Sequence, residues 1–129
     1  FRRLAGYIFG DNAEKQKISM TAPVIMAPEP AGDGTYWVSF FMPEEYQLAD
    51  LPSPTDGLVE ITRVPATKMA VVIYKGGWSE GNYDSAMERL MRLLSSTRWK
   101  VSGEPVWARY NSPFRPSFMR TNEVMVPVE

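Results

Sequence analysis

Two helix-period stripes bracket a run of short, turn-punctuated strand patterns, and that order restricts the chain to few architectures. The first stripe places Phe1, Leu4, Ala5 and Ile8 at i, i+3, i+4 and i+7, with Gly10 where a left-handed C-terminal cap belongs. No upstream residue supplies an N-cap, so the stripe reads as the last turns of a helix whose opening segment is missing. The second stripe runs from Tyr83 to Arg98. Tyr83, Met87, Leu90 and Leu94 share one face, widened by Ala86, Met91 and Leu93, while Arg89, Arg92 and Ser96 look outward. Asn82 is its expected N-cap, and Glu88 precedes Arg92 in the favourable orientation for a helical ion pair.

Strand patterns fill the rest. Lys17 to Met26 alternates, with Ile18, Met20, Ala22 and Val24 on one face. A hairpin-type connection at Glu29 to Gly34 leads to Thr35–Met42, aromatic and β-branched enough for a buried strand. A proline-punctuated link from Glu44 to Gly57 has room for one helical turn at Glu44–Gln47. Leu58–Arg63 alternates, Lys68–Tyr74 is a third apolar run, and Lys100–Tyr110 and Asn122–Val128 close the chain. A strand introduces the second helix, so supplying one before the first yields two halves of strand, helix, strand, strand. Hairpin-length connections exclude a doubly wound parallel sheet. The expectation is a single α+β domain over residues 1–129, N-terminally incomplete. Both helices would lie against a curved antiparallel sheet or distorted β-barrel.

At 129 residues, with 44% hydrophobic and 22% charged, the chain can bury a sizeable core. A net charge of −1 with both signs interleaved offers no footprint for nucleic acid. Histidine and cysteine are both absent, which removes Ser-His-Asp and Cys-His catalysis, disulfides and ordinary zinc sites. The remaining acids, such as Glu44, Glu45, Asp50, Asp56 and Glu60, fall among turn residues, where solvated carboxylates are the rule. No nucleophile or acid–base pair is identifiable, so the expectation is a protein that is not an enzyme. No signal peptide is visible. The cytoplasm is favoured, but a targeting segment upstream would change that.

Four ordered motifs resemble the SOUL haem-binding family. Lys17-Ile18-Ser19-Met20-Thr21-Ala22-Pro23-Val24 matches its KI-x-MT-x-PV signature. Trp37-Val38-Ser39-Phe40-Phe41-Met42-Pro43 fits its V-x-F-x-[MI]-P strand end, and Gly76-Gly77-Trp78-Ser79 the turn before its second helix. Tyr110-Asn111-Ser112-Pro113-Phe114, Pro116 and Arg120-Thr121-Asn122-Glu123-Val124 resemble its Y-x-x-P-x-x-P and R-R-N-E-[VI] tail, with Thr121 where a second arginine is usual. The resemblance covers nearly the whole chain. It implies a distorted antiparallel barrel with two helices, beginning with a strand that this chain lacks. It also implies binding of haem or a related tetrapyrrole in a shallow apolar groove, and the absence of histidine makes that binding weak and indifferent to iron. Carried onto this sequence, the groove would draw on Leu4, Ile8, Lys17, Met20, Phe114, Phe118 and Met119, with Arg120 as a propionate partner.

The residues themselves support part of that site. A porphyrin needs an apolar slot for its faces and cations at the rim for its propionates. Phe114 to Arg120 supplies two aromatics, a methionine and two arginines, stiffened by Pro113 and Pro116. The competing reading has Phe114 and Phe118 plugging a barrel mouth, the arginines in water and Met20 in the core. Without histidine, an iron ligand would be methionine, tyrosine, lysine or water, which suits a tetrapyrrole carrier or buffer better than an electron-transfer protein. Two alternatives remain: an effector-binding module for other flat apolar compounds, or an interaction module that dimerises through an exposed sheet edge.

Overall fold

Helix α1 (Arg2–Ile8) ends in a Schellman cap. Phe9 is the C-cap, Gly10 takes φ +118°, and the N–H groups of Asp11 and Gly10 return to the Gly6 and Tyr7 carbonyls at 2.9 and 3.4 Å. Glycine reaches such a φ without a Cβ clash, so the glycine anticipated from the stripe is the one that stops the helix. These coordinates come from a computed structural model that describes residues 1–29 and 34–129.

Five strands follow among the described residues: β1 (Val24–Pro28), β2 (Tyr36–Phe40), β3 (Met69–Lys75), β4 (Val106–Arg109) and β5 (Thr121–Pro127), with α2 (Glu80–Leu94) between β3 and β4. They form one antiparallel sheet in the order β2-β1-β4-β5-β3. The β1–β2 and β4–β5 hairpins meet along β1 and β4, which is the two-half layout read from the sequence. The sheet stays open, with β2 and β3 as edges, so the curved sheet and not the closed barrel is what forms. Most of the connection expected at residues 29–34 (residues 30–33) lies outside the described residues, although Glu29 N–H still bonds the Thr35 carbonyl at 3.1 Å.

Register puts Phe40, Val24, Arg109, Asn122 and Tyr74 in one row across the sheet, their side chains on a common face. Helix α2 covers the β3–β5 end of that face. Ala86 and Leu90 pack on Val72, Val124, Val126 and Val128, with Tyr83, Met87, Met91 and Leu94 around them. Burying a side chain such as Leu90 stabilises by about 1.5–3 kcal/mol. At the β2 end a second cluster joins Tyr7, Ile8, Ile18 and Val59, flanked by Leu4, Phe40 and Ile61.

Several boundaries differ from the sequence pattern, each for a local reason. Ser79, not Asn82, caps α2: its hydroxyl accepts the Asn82 N–H at 3.1 Å, while the Asn82 side-chain amide donates to the Gly77 carbonyl at 3.0 Å. The helix stops at Leu94 because Ser95, Ser96 and Thr97 hydroxyls bond back to the carbonyls of Arg92, Leu93 and Leu94, in competition with the backbone ladder. Leu93 faces water, and the Glu88–Arg92 pair does not form; among the described residues the salt bridge is Arg3–Asp56. Residues 17–22 are not a strand, because the Ile18 N–H turns to the Ile8 carbonyl at 2.8 Å and buries Ile18 under α1. Leu58–Arg63 has the alternation of a strand but no partner strand, and Thr35–Met42 supplies an exposed edge (β2) instead of a buried strand. The helical turn expected at Glu44–Gln47 forms at Leu48–Asp50, and the strand of Lys100–Tyr110 is limited to β4 and a bridge between Val101 and Val128.

Candidate functional site

The unpaired strand pattern at residues 58–64 and the open edge of β2 face each other, and α1 lies between them. Together they enclose an open-sided groove of about 920 Å³. Phe1, Leu4, Ile8, Val38, Phe40 and Ile61 supply its apolar wall, and Arg3, Glu60 and Arg63 add charged groups to the lining. The Phe1 ring meets Phe40 edge-on at 5.3 Å, linking the helix to the strand.

Three polar anchors hold α1 in this position. The Tyr7 hydroxyl donates to the Pro52 carbonyl at 2.7 Å, and burial, with Glu14 nearby, raises its pKa. Buried Asn12 donates to the carbonyls of Tyr7 (2.9 Å) and Gln16 (2.8 Å) and accepts the Gln16 N–H at 3.0 Å. Its side chain thereby satisfies backbone groups left over at the helix end. On the exposed side Arg3 pairs with Asp56 at 2.7 Å. The Leu58 N–H, and then Arg3, hold the Asp56 carboxyl below the usual carboxylate range.

A second polar centre gathers around Trp78, in the turn before α2. Its indole N–H donates to Asn122 at 2.9 Å, and the Asn122 amide donates to the Gly76 carbonyl at 3.0 Å. Two guanidinium groups stack near the ring: Arg120 at 4.3 Å and Arg109 at 4.7 Å. Arg120 also spends two donors on the loop it closes, Nε on the Arg115 carbonyl (2.9 Å) and Nη2 on that of Pro113 (2.8 Å). Next to Arg109, Trp107 is held between Tyr36 (5.5 Å, stacked) and Tyr83 (3.7 Å, edge-on), and its indole N–H is buried without an acceptor among the described residues.

The eight candidate residues therefore divide. Leu4 and Ile8 lie together in the groove. Lys17 and Met20 are exposed on the link that follows α1, and Met20, at 46% exposure, is no core residue. The neighbouring Thr21 hydroxyl donates to the carbonyl of Phe41, itself on the groove wall. Phe114 (95% exposed), Phe118 (75%), Met119 and Arg120 sit on the β4–β5 loop, which folds against the turn carrying Gly77 and Trp78. Neither phenylalanine plugs the sheet. The Phe40–Met42 wall, the facing segment at residues 58–64 and Arg109 lie outside the candidate residues that the motifs offered. A density of aromatic residues at the end of β2 was the available signal for the first of these.

No group of three or more His, Cys, Asp or Glu able to hold a metal ion occurs among the described residues. Nor is any described helix long and apolar enough to cross a membrane. What the fold and groove define is an α+β domain with an apolar, open-sided site beside a short helix. The family comparison agrees with that outline: the model described as SOUL heme-binding protein matches residues 1–127, and the chain belongs to this family. Among curated relatives, heme-binding protein 2 of Mus musculus and heme-binding protein 2 of Homo sapiens are each 35% identical over 133 residues. Each alignment covers 96% of this chain and 62% of the relative, so the chain spans less than two thirds of their length.

Proposed function

We propose that this chain binds haem or a related tetrapyrrole in the groove beside α1, as a non-enzymatic carrier or buffer. The single observation that carries the reading is the groove itself: about 920 Å³, open on one side and walled by Phe1, Leu4, Ile8 and Phe40. A flat apolar macrocycle gains from such a wall in proportion to the area it removes from water. The relatives' printed names and the family description support the same ligand class.

Binding in this reading does not depend on iron. With no histidine in the sequence, an axial ligand would be methionine, tyrosine, lysine or water. Met42 and Tyr46 line the groove, whereas the Tyr7 hydroxyl is already committed to Pro52. Haemin and iron-free protoporphyrin titrated separately, followed by the Soret band and tryptophan quenching, should both saturate at one-to-one stoichiometry with similar affinity. A protein that takes haemin alone would contradict iron independence; partitioning of both without saturation would contradict the site.

A second reading has its own observation. Edge strand β3 exposes Val71 and Ile73, the latter at 59%, and although Arg89 donates to the Ile73 carbonyl at 2.7 Å, the rest of the edge favours pairing with another chain. Mass that rises with protein concentration, and falls in Ile73→Lys, would support a dimerising module.

A further inference from the structure

The row of residues shared by Phe40, Val24, Arg109 and Asn122 connects the groove wall to the Trp78 centre along one face of the sheet. Arg109 lies two inter-strand spacings from Phe40, roughly 10 Å. It stands half-buried between the rings of Trp78 (4.7 Å) and Trp107 (5.7 Å). Among the described residues it meets no carboxylate and no hydrogen-bond acceptor; its neighbours across the strands are Val24 and Asn122, and after burial the groups that act on its charge are Tyr74, which favours it, and then Arg120, which opposes it. Two guanidinium groups thus share one indole with no anion between them. A half-buried cation without a counter-charge is costly, and an incoming carboxylate relieves it with two parallel N–H bonds. Burial pushes the pKa of Arg109 down, Tyr74 partly offsets this, and Arg120 adds to it.

We propose that Arg109, with Arg120 beside it, holds the carboxylates of the bound tetrapyrrole and so selects dicarboxylate ligands over neutral ones. Arg120 contributes less, because two of its five donors are bound to loop carbonyls. The macrocycle then lies against the α1–β2 wall with its acid side chains directed along the row toward Arg109. This rests on the tetrapyrrole reading above; the family resemblance offers Arg120 as a propionate partner, and Arg109 is the cation that it does not name.

The test compares protoporphyrin IX with its dimethyl ester on the intact chain and on Arg109→Met, Arg109→Lys and Arg98→Met. Arg98 provides the control, since it stacks on Trp99 at 5.0 Å and is exposed. The diacid should bind wild type roughly tenfold more tightly than the diester. Arg109→Met should remove most of that difference, leaving the smaller part that Arg120 supplies, and should lower diacid affinity far more than diester affinity. Arg109→Lys, which keeps charge and stem but loses the fork, should fall between them, and Arg98→Met should match wild type. Equal affinity of wild type for diacid and diester would overturn the assignment and leave the groove reading standing. Failure of wild type to bind either ligand would remove both. Should Arg109→Met not fold, Arg109→Lys decides: an undiminished preference for the diacid counts against a forked contact at this position.

Discussion

Trp78 donates its indole N–H to the Asn122 side chain at 2.9 Å, and Asn122 passes a bond on to the Gly76 carbonyl at 3.0 Å. One almost fully buried amide thus ties the start of β5 to the turn that launches α2. It also fixes the ring on which Arg109 and Arg120 stack.

Replacing Asn122 by alanine strands a donor and an acceptor at once. Unpaired buried groups cost about 1–3 kcal/mol each, so Asn122→Ala should lower the free energy of unfolding by about 2–4 kcal/mol. Urea denaturation followed by tryptophan fluorescence measures this directly. A loss below about 0.5 kcal/mol, within the range of ordinary surface substitutions, would mean that water substitutes freely for the amide.

Asn12 plays the corresponding part under α1, with three hydrogen bonds to Tyr7 and Gln16 backbone groups. Asn12→Asp keeps the shape but replaces a donor of two bonds with a carboxylate facing two carbonyls. It should destabilise by more than about 2 kcal/mol and weaken tetrapyrrole binding, because α1 forms a wall of the groove. Amide hydrogen exchange in residues 2–8 should accelerate; unchanged protection there would separate Asn12 from the positioning of α1.

Gly10 carries the stop of α1 at φ +118°. A Cβ there finds no steric obstacle closer than the Lys15 carbonyl at 3.9 Å, so the cost of Gly10→Ala is conformational and not one of packing. That cost should be about 1–2 kcal/mol, read as a shift of the urea midpoint without a change in slope.

How far such features were legible from the sequence depended on whether the signal was local. The Gly10 stop was readable because a helical stripe followed by glycine is a short-range pattern. The body of α2 and most of β3 and β5 followed from periodicity in the same way. The start of α2 was not, since Ser79 and Asn82 are both good cap residues and the Gly77 carbonyl decides between them. Leu58–Arg63 misled because alternation reports a face to bury but no partner to pair with. Most of the groove's wall was missed for a related reason: it is assembled from α1, β2 and residues 58–64, which are neighbours only after folding. Leu4 and Ile8 entered as candidates through the family resemblance, whereas Arg109 carried no sequence mark at all.

Alkaline conditions probe the aromatic cluster. Burial, the largest cause, together with Tyr36, Asp84, Tyr74 and Glu104, pushes the Tyr83 pKa up to about 12. Burial also raises those of Tyr7, Tyr74 and Tyr110. Below the unfolded value of about 10, both states keep the proton and these groups add no pH dependence. Above it the unfolded chain loses protons that the folded chain retains, so stability present below pH 10 should drain away as pH rises toward 12. Urea midpoints across that range should fall, and Tyr83→Phe should flatten part of the slope. An unaltered slope would place Tyr83 in water and contradict its contact with Trp107 at 3.7 Å.

The most direct test of the central claim is an amide-resolved NMR titration with iron-free protoporphyrin, which reports both whether a ligand binds and where. The account predicts saturable shifts at Leu4, Ile8, Val38, Phe40 and Ile61, extending along the row to Arg109. Saturable shifts confined to the exposed loop at Phe114–Met119, or no saturable shifts at all, would contradict a tetrapyrrole site beside α1.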